Sequence, residues 1–164
     1  MKRNLLILVS IPIIVGAIVM SINADQEYDF LKSHGKYSAC KIEVRGSDIE
    51  CHFTLDKVGE TSKRMTKPHA YIFEGESYRV YYHDSIEGRY YIAFDKPIID
   101  TSQFSTSSGV IESWKEGGVM FNYEIDGFQY DRFQHISSDM TFSNNQTVPI
   151  LYKLDNPGIA YLIQ

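Results

Sequence analysis

The sequence predicts an all-β protein, either an antiparallel meander barrel or a two-sheet sandwich, of about ten strands preceded by one short N-terminal helix. Short runs of alternating apolar and polar residues recur along the chain, and turn signals containing Gly, Asp or Asn separate them. Helical periodicity occurs in one stretch, Asp25–His34, which Gly35 ends. Tyr28 and Leu31 are expected to face inward from that helix.

Residues 1–24 carry the pattern of an export signal. A basic head, Lys2-Arg3, precedes the apolar run Leu5–Ile22, and Ala24 lies at the end of the segment. This arrangement predicts a signal peptide that is cleaved after Ala24. The alternative is an uncleaved membrane anchor, because the run would reach roughly 27 Å as a helix.

Both alternatives place the rest of the chain, residues 25–164, outside the cytoplasm as a single all-β domain. The expected location is periplasmic or extracellular, either free or tethered to the inner membrane through residues 5–22. Of the 16 Lys and Arg residues, 14 remain after Ala24 against 21 Asp and Glu, which is a net charge of −7. So acidic a chain is not expected to bind nucleic acid, and a membrane is expected as a partner only through residues 5–22.

The chain has two cysteines, and both lie in one predicted hairpin with arms Ser38–Val44 and Ile49–Leu55. A four-residue loop would put Cys40 directly opposite Cys51, whereas a tighter loop around Gly46-Ser47 would make them diagonal neighbours. Both geometries suit a disulfide, and an exported protein meets the oxidising conditions in which a disulfide persists. We therefore expect a structural disulfide, Cys40–Cys51.

Turn signals divide the remaining chain into further strands and two longer loops. The predicted strands are His69–Phe73, Tyr78–His83, Arg89–Asp95, Val110–Trp114, Val119–Ile125, Phe128–Phe133, Val148–Leu154 and Ile159–Ile163. The predicted loops are the basic stretch Lys57–Lys67 and the Ser/Thr-rich stretch Asp100–Gly109. Asp126-Gly127 is the strongest two-residue hairpin signal.

Pairing the last hairpins places two charged residues on a face that is otherwise apolar. Around Asp126-Gly127, Phe121 faces Arg132, and around the turn Lys115–Gly118, Glu112 faces Phe121. Inward charges are costly unless they are paired, so Glu112 and Arg132 are candidate ligand-binding residues in a barrel interior. The alternatives are a bulge that reverses the facing of one strand, or a solvated rim.

A second candidate site is the outer face of the hairpin Tyr78–Asp95. Tyr with flanking Arg is the composition of a recognition surface for a protein or a glycan. The alternative is an ordinary sheet face, covered by the loop Lys57–Lys67 or by a second sheet. The candidate partner-binding residues are Arg79, Tyr81, His83, Arg89 and Tyr91.

No pattern in the sequence points to a metal, a cofactor or catalysis. The five histidines are scattered, and no nucleophile motif occurs. We therefore predict an exported, non-enzymatic binding module for a protein or glycan, for instance of an inhibitor or immunity type. The alternatives are a carrier of a small apolar ligand in a barrel interior and a membrane-tethered structural component of an envelope assembly.

Overall fold

Two antiparallel sheets make up the fold. The computed structural model describes residues 26–84, 89–115, 117–137 and 139–163, and within these ranges it contains ten strands and one short helix. The first sheet has the strand order β3-β2-β1-β4-β5, and the second has the order β10-β9-β6-β7-β8. The prediction of an all-β fold is confirmed, and the architecture is the two-sheet sandwich. The strands are β1 (Lys36–Arg45), β2 (Asp48–Leu55), β3 (Gly59–Thr66), β4 (Ser77–Tyr82), β5 (Tyr90–Pro97), β6 (Phe104–Lys115), β7 (Gly118–Ile125), β8 (Phe128–His135), β9 (Thr147–Lys153) and β10 (Ala160–Leu162).

The chain divides into two compact units. Of the described residues, the first unit comprises those up to Tyr37 together with those within Tyr81–Tyr91, and the second comprises Ser38–Val80 and those from Ile92 on. The export segment, residues 1–24, lies outside the described residues, so its cleavage and the single domain stay predictions. Within the described ranges, no helix combines the length and the apolar character that a membrane span requires.

Residues 26–34 form the helix α1, close to its predicted position. The Gly35 N–H donates to the Leu31 carbonyl at 3.0 Å, so the helix ends where expected. A Cβ atom at position 35 would lie 2.4 Å from that carbonyl oxygen and 2.8 Å from the Tyr82 carbonyl oxygen, a close approach that requires glycine. Leu31 is buried as predicted, but Tyr28 is 45% exposed, so its predicted inward position is wrong. Three residues turn a helix by about 300°, which leaves Tyr28 at the edge of the buried stripe.

The cysteine hairpin forms with the tighter of the two loops. Arg45 pairs with Asp48, which leaves Gly46-Ser47 as the loop, and Gly46 has a φ of +66°. In this register Cys40 and Cys51 are diagonal neighbours with Cα atoms 5.5 Å apart, and they form the predicted disulfide. Both cysteines are fully buried, so the disulfide lies on the buried face of the hairpin.

The predicted loop Lys57–Lys67 is wrong, because most of it forms β3. This strand pairs with β2 along its whole length, from Asp48 opposite Thr66 to Leu55 opposite Gly59. It lies at the edge of the first sheet, and most of its side chains are exposed or half-buried. Polar, charged residues protect such an edge from pairing with other chains. Because of these polar residues, β3 lacks the alternation of apolar and polar residues from which a strand is predicted.

Two further predictions of local structure are wrong. The predicted loop Asp100–Gly109 contains a 3-10 turn at Thr101–Gln103, and Phe104 begins β6, whose first half pairs with β9. The predicted strand His69–Phe73 instead forms turns. Its backbone bonds to side chains: the Phe73 N–H donates to a carboxylate oxygen of Glu76 at 2.7 Å, and no sheet ladder forms there.

The meander β6–β7–β8 has the predicted pairing apart from one bulge. Phe121 faces Arg132, and Trp114 faces Val119, as expected. The register of β6 shifts between Ile111 and Ser113, so Ile111 takes the position opposite Phe121. Glu112 is exposed at this bulge, and its predicted place on the core face is therefore wrong.

The core of the second sheet is large and almost entirely aliphatic and aromatic. Its centre is fully buried and includes Ile111, Val119, Phe121 and Ile150, with Trp114 packed against it. Burial of side chains of this size stabilises a protein by about 1.5–3 kcal/mol each. The opposite face of β6–β8 points away from this core.

Candidate functional site

Six aromatic side chains of the first unit form three packed pairs, and Phe30 also stacks on His34 at 4.9 Å. Tyr28 of α1 packs against Tyr91 of β5 with ring centroids 5.4 Å apart, and Phe30 of α1 packs against His83 at 5.2 Å. Tyr37 of β1 packs against Tyr81 of β4 at 6.3 Å. We call these six side chains the aromatic surface: Tyr28, Phe30, Tyr37, Tyr81, His83 and Tyr91.

Half of the aromatic surface is open to solvent. Tyr37 is 58% exposed, Tyr28 45% and Phe30 37%, whereas their packing partners are half-buried. The planes of the three pairs are tilted by 50°, 65° and 61°, which is the edge-on geometry that aromatic rings prefer. Each exposed ring is therefore held by a ring beneath it, and it offers contact area with little conformational entropy to lose.

Charged groups of both signs border the aromatic surface. The Lys32 Nζ atom lies 4.4 Å from the centroid of the Tyr91 ring, within the range of a cation–π interaction. The Arg89 guanidinium forms an ion pair with Glu27 of α1. Exposed pairs of this kind contribute at most about 1 kcal/mol to stability. Their larger effect is on the orientation and the rate with which a charged partner approaches.

Four of the five predicted partner-binding residues belong to this unit. Tyr81, His83 and Tyr91 carry α1 and Tyr37 on their outer face, and Arg89 is exposed. Arg79 belongs to the second unit and is half-buried. The predicted sheet face therefore exists, but the chain's own helix packs onto part of it. Whether these residues bind a partner stays a prediction.

Sequence reasoning missed the three most exposed members of the aromatic surface. Tyr28 and Phe30 precede Leu31 on α1 and are exposed, whereas Leu31 lies on the buried side of the helix. Tyr37 lies one residue before the predicted start of the cysteine hairpin and extends that strand outward. The signal available in the sequence was that α1 is too short to bury more than one residue and yet contains several aromatic residues, which indicates exposed aromatic side chains.

The other predicted site is occupied by a buried network. Arg132 is 1% exposed, and its Nε atom donates to the Ala160 carbonyl at 3.1 Å. Its terminal nitrogens donate to the Tyr71 carbonyl and to the carboxylate of Glu76, which is itself buried. The Tyr161 hydroxyl donates to the same carboxylate at 2.7 Å. Every polar group of the guanidinium therefore faces a protein acceptor.

Arg132 remains charged in the folded protein. Burial alone would lower the pKa of Arg132, but the neighbouring Glu76, Tyr78 and Tyr161 outweigh burial and raise it. Burial, reinforced by Glu76, raises the pKa of Tyr161 well above its ordinary value. The expected place of Glu112 beside Arg132 on the core face is wrong, because a bulge, the alternative that the sequence left open, turns Glu112 outward. Arg132 pairs with Glu76 instead. The pair that suggested an interior ligand is not formed.

One group of described residues has the composition of a metal site. Ligand atoms of Glu43, Glu50 and His52 lie within 4.8 Å of one another on the outer face of β1 and β2. The Arg45 guanidinium already lies 3.0 Å from Glu43 and 3.1 Å from Glu50. A hydrogen bond from Ser62, more than the cations nearby, lowers the pKa of Glu50. A divalent cation would have to displace Arg45, so the group is a neutralised surface network.

The first unit therefore offers a preorganised aromatic surface with charges of both signs at its border, which suits recognition of another molecule. A comparison of the chain with protein-family models, with curated proteins and with solved structures found no match.

Proposed function

We propose that this protein is an exported binding module that recognises a protein partner through the aromatic surface. One observation carries the proposal: three exposed aromatic side chains, Tyr28, Phe30 and Tyr37, are each held by a second ring. Exposed Tyr and Phe are enriched at protein interfaces, where they supply much of the binding energy.

The ring geometry favours a protein over a glycan at this surface. A sugar ring stacks flat on an open aromatic face, whereas the three ring pairs are tilted against one another by 50° to 65°. Tilted rings make ridges and hollows, which suit the side chains of a protein. Charges of both signs at the border suit a polar interface rim.

Export is supported by two independent features. The Cys40–Cys51 disulfide is typical of proteins in an oxidising compartment. The sequence of residues 1–24 has the pattern of a secretory signal or an anchor. We propose a periplasmic or extracellular location, and an inhibitor or immunity protein is one role of this kind. Absence of catalysis remains part of the proposal.

The test is a comparison of two exposed-aromatic variants. The double variant Tyr28→Ser/Tyr37→Ser removes the most exposed rings of the aromatic surface, and Phe128→Ser removes a 68% exposed ring in the second unit. Each purified protein is used to capture partners from the exported fraction of the source cells, with and without protease treatment of that fraction. We expect the wild type and Phe128→Ser to retain the same protease-sensitive partner, and the double variant to lose it.

Two outcomes contradict the proposal. Retention of the partner by Tyr28→Ser/Tyr37→Ser, at an unchanged melting temperature, places the interface elsewhere. Retention that survives protease but disappears after glycosidase treatment identifies a glycan as the ligand. A large drop in melting temperature in the double variant would mean that the rings stabilise the fold, and then Tyr37→Ser alone, the most exposed position, is used for the capture.

A further inference from the structure

The segment of residues 68–70 follows β3 in the second unit and contacts the second sheet through the ring of His69. The first and last residues of this segment are exposed, whereas His69 between them is half-buried. Its ring packs on Phe133 of β8 at 4.6 Å and on His135 of the same strand at 5.0 Å. An exposed segment is therefore attached to a sheet through a titratable ring.

Both ends of this segment are fixed by hydrogen bonds. The Lys67 N–H donates to the Ser47 carbonyl at 3.0 Å, and the Tyr71 carbonyl accepts from the Arg132 guanidinium. Among the described residues, none forms a backbone–backbone hydrogen bond with residues 68–70. The imidazole ring is therefore the contact that holds the middle of the segment against β8.

The hydrogen bonding of His69 requires a neutral ring. The Tyr71 N–H donates to the Nδ1 atom of His69 at 3.2 Å. A ring nitrogen accepts a hydrogen bond only through its lone pair, so the proton of the neutral ring lies on Nε2. A second proton would bind to Nδ1, and the Tyr71 N–H would then face a donor. Protonation of His69 therefore breaks the hydrogen bond that orients its ring.

The groups around His69 disfavour a positive charge on it. Burial, followed by the charges of His135 and Arg132 of β8, lowers the pKa of His69 to about 4. Two carboxylates follow in the same part of the chain, but Glu76 is paired with Arg132, and Glu74 accepts from a backbone N–H of β1 at 2.6 Å. Neither carboxylate is left to act as a counter-ion for a protonated His69.

We propose that residues 68–70 form an acid-sensitive switch, in which protonation of His69 releases its ring from β8 while the hydrogen bonds at both ends hold the segment in place. The proton is a ligand that binds the open form better than the closed form, so acid shifts the population toward the open form. Opening uncovers the side of the Phe133 ring on which His69 packs. The switch is separate from the aromatic surface, so it stands whether or not that surface binds a protein.

The expected size of the effect follows from the pKa of His69 in the two forms. The closed form has the lowered pKa of about 4, whereas the released ring should return to the ordinary value of 6.5. Between these values acid favours opening. Because the ring is only partly buried, we expect the equilibrium constant for opening to rise roughly ten-fold between pH 7 and pH 4.5.

NMR of the oxidised, ¹⁵N-labelled protein tests the switch at these two pH values. The side-chain ¹⁵N shifts of His69 should show the Nε2–H tautomer at pH 7. At pH 4.5 the NOE between the rings of His69 and Phe133 should weaken, while the amide signal of Phe121, in the centre of the second sheet, remains that of the folded protein. After correction for intrinsic exchange, the protection factor of the Tyr71 amide should fall roughly ten-fold and stay below that of Phe121.

Two variants separate protonation of His69 from other effects of acid. His69→Phe keeps a ring that can pack on Phe133 but cannot take up a proton, so the NOE between these rings should be equal at both pH values. His52→Gln, at an exposed position of β2, is the control and should respond as the wild type does. If the amide spectrum shows that His69→Phe is not folded, His69→Gln replaces it, and its Tyr71 protection should not change with pH.

Three results would overturn the proposal. The first is a protonated His69 whose ring keeps its full NOE to Phe133. The second is a Tyr71 amide as well protected as that of Phe121, since exchange would then require global unfolding. The third is loss of the NOE at pH 4.5 in His69→Phe, or a wild-type fall in Tyr71 protection in His69→Gln, because acid would then act through another group.

Discussion

Arg132 and Glu76 form an ion pair whose two side chains are 1% and 0% exposed. Arg132 comes from β8 in the second sheet, and Glu76 precedes β4 of the first sheet, so the pair joins the two sheets within the second unit. Tyr161 bonds to the same carboxylate, and the Arg132 guanidinium lies 5.0 Å from the Phe73 ring. The protein interior therefore contains a buried charge pair, and charged side chains are rarely buried so completely unless they are paired.

Removal of one partner of this pair should be strongly destabilising. Glu76→Gln leaves the Arg132 charge buried without its counter-ion, which costs about 3–5 kcal/mol in free energy of unfolding. The double variant Glu76→Gln/Arg132→Met should recover part of that loss, because no unpaired charge remains. Urea denaturation measures both, and Glu124→Gln, at an exposed carboxylate of β7, is the control. A loss below about 1 kcal/mol in Glu76→Gln would contradict the burial of the pair.

The disulfide should contribute mainly through the unfolded chain. The bond closes a sequence separation of 11 residues, for which the chain-entropy model gives about 3 kcal/mol. We therefore expect Cys40→Ala/Cys51→Ala to lower the free energy of unfolding by about that amount. Denatured, unreduced wild type should take up no thiol reagent and should gain two mass units on reduction. Labelling at both cysteines before reduction would show that the bond is absent.

Gly35 should be the position on which the packing of α1 depends. In Gly35→Ala the new Cβ atom would meet the carbonyl oxygens of Leu31 and Tyr82 at 2.4 Å and 2.8 Å, so the helix end must shift. Overpacking of this kind costs about 1–3 kcal/mol. Hydrogen exchange of the amides of residues 30–36 should accelerate. Gly46→Ala is the control for a loss of stability without a clash: its Cβ atom meets nothing within 4 Å, and its cost comes from the positive φ of +66°. It should leave these amides unchanged.

The free energy of unfolding should decrease as the pH is lowered, because His69 takes up a proton more readily in the unfolded chain than in the folded chain. Its pKa is lowered from 6.5 to about 4, first by burial and then by the charges of His135 and Arg132. Between these two values the unfolded chain binds a proton that the folded chain does not. Stability that is fully present above pH 6.5 is therefore lost as the pH falls toward 4. Because His69 is only partly buried, we expect this loss to be about 1–2 kcal/mol.

Urea denaturation at pH 7 and at pH 4.5 measures this effect. His69→Gln should reduce the difference between the two pH values by about 1 kcal/mol. His52→Gln, at an exposed position of β2, serves as the control and should keep the wild-type difference. A wild-type difference in His69→Gln would mean that other groups cause the acid sensitivity.

Local sequence patterns predicted most of the strands and several of their partners. Asp126-Gly127 determined that hairpin because few dipeptides adopt positive φ at both loop positions, and here both do, at +52° and +82°. With the loop known, counting residues outward from it along both strands places Phe121 opposite Arg132. The cysteine hairpin followed in the same way, except for the choice between its two possible loops.

The failures occur where a residue's surroundings outweigh its local pattern. β3 is a strand because β2 offers it a complete ladder, although its own residues are polar. Glu112 leaves the core face because one bulge changes the register of β6. The aromatic surface was only half predicted, since α1 contributes residues that are distant in sequence from Tyr81 and Tyr91.

The sequence by itself determined the all-β class, the disulfide pair, the helix that Gly35 ends and the meander β6–β8, because turn conformation and alternation act between near neighbours. Only the tertiary structure decided that Arg132 pairs with Glu76, that Tyr28 and Phe30 cover a sheet face, and that His69 packs on His135. Those contacts join residues that lie 53 to 66 positions apart in the sequence. The energy of burying a charge or a ring depends on groups that no local pattern specifies.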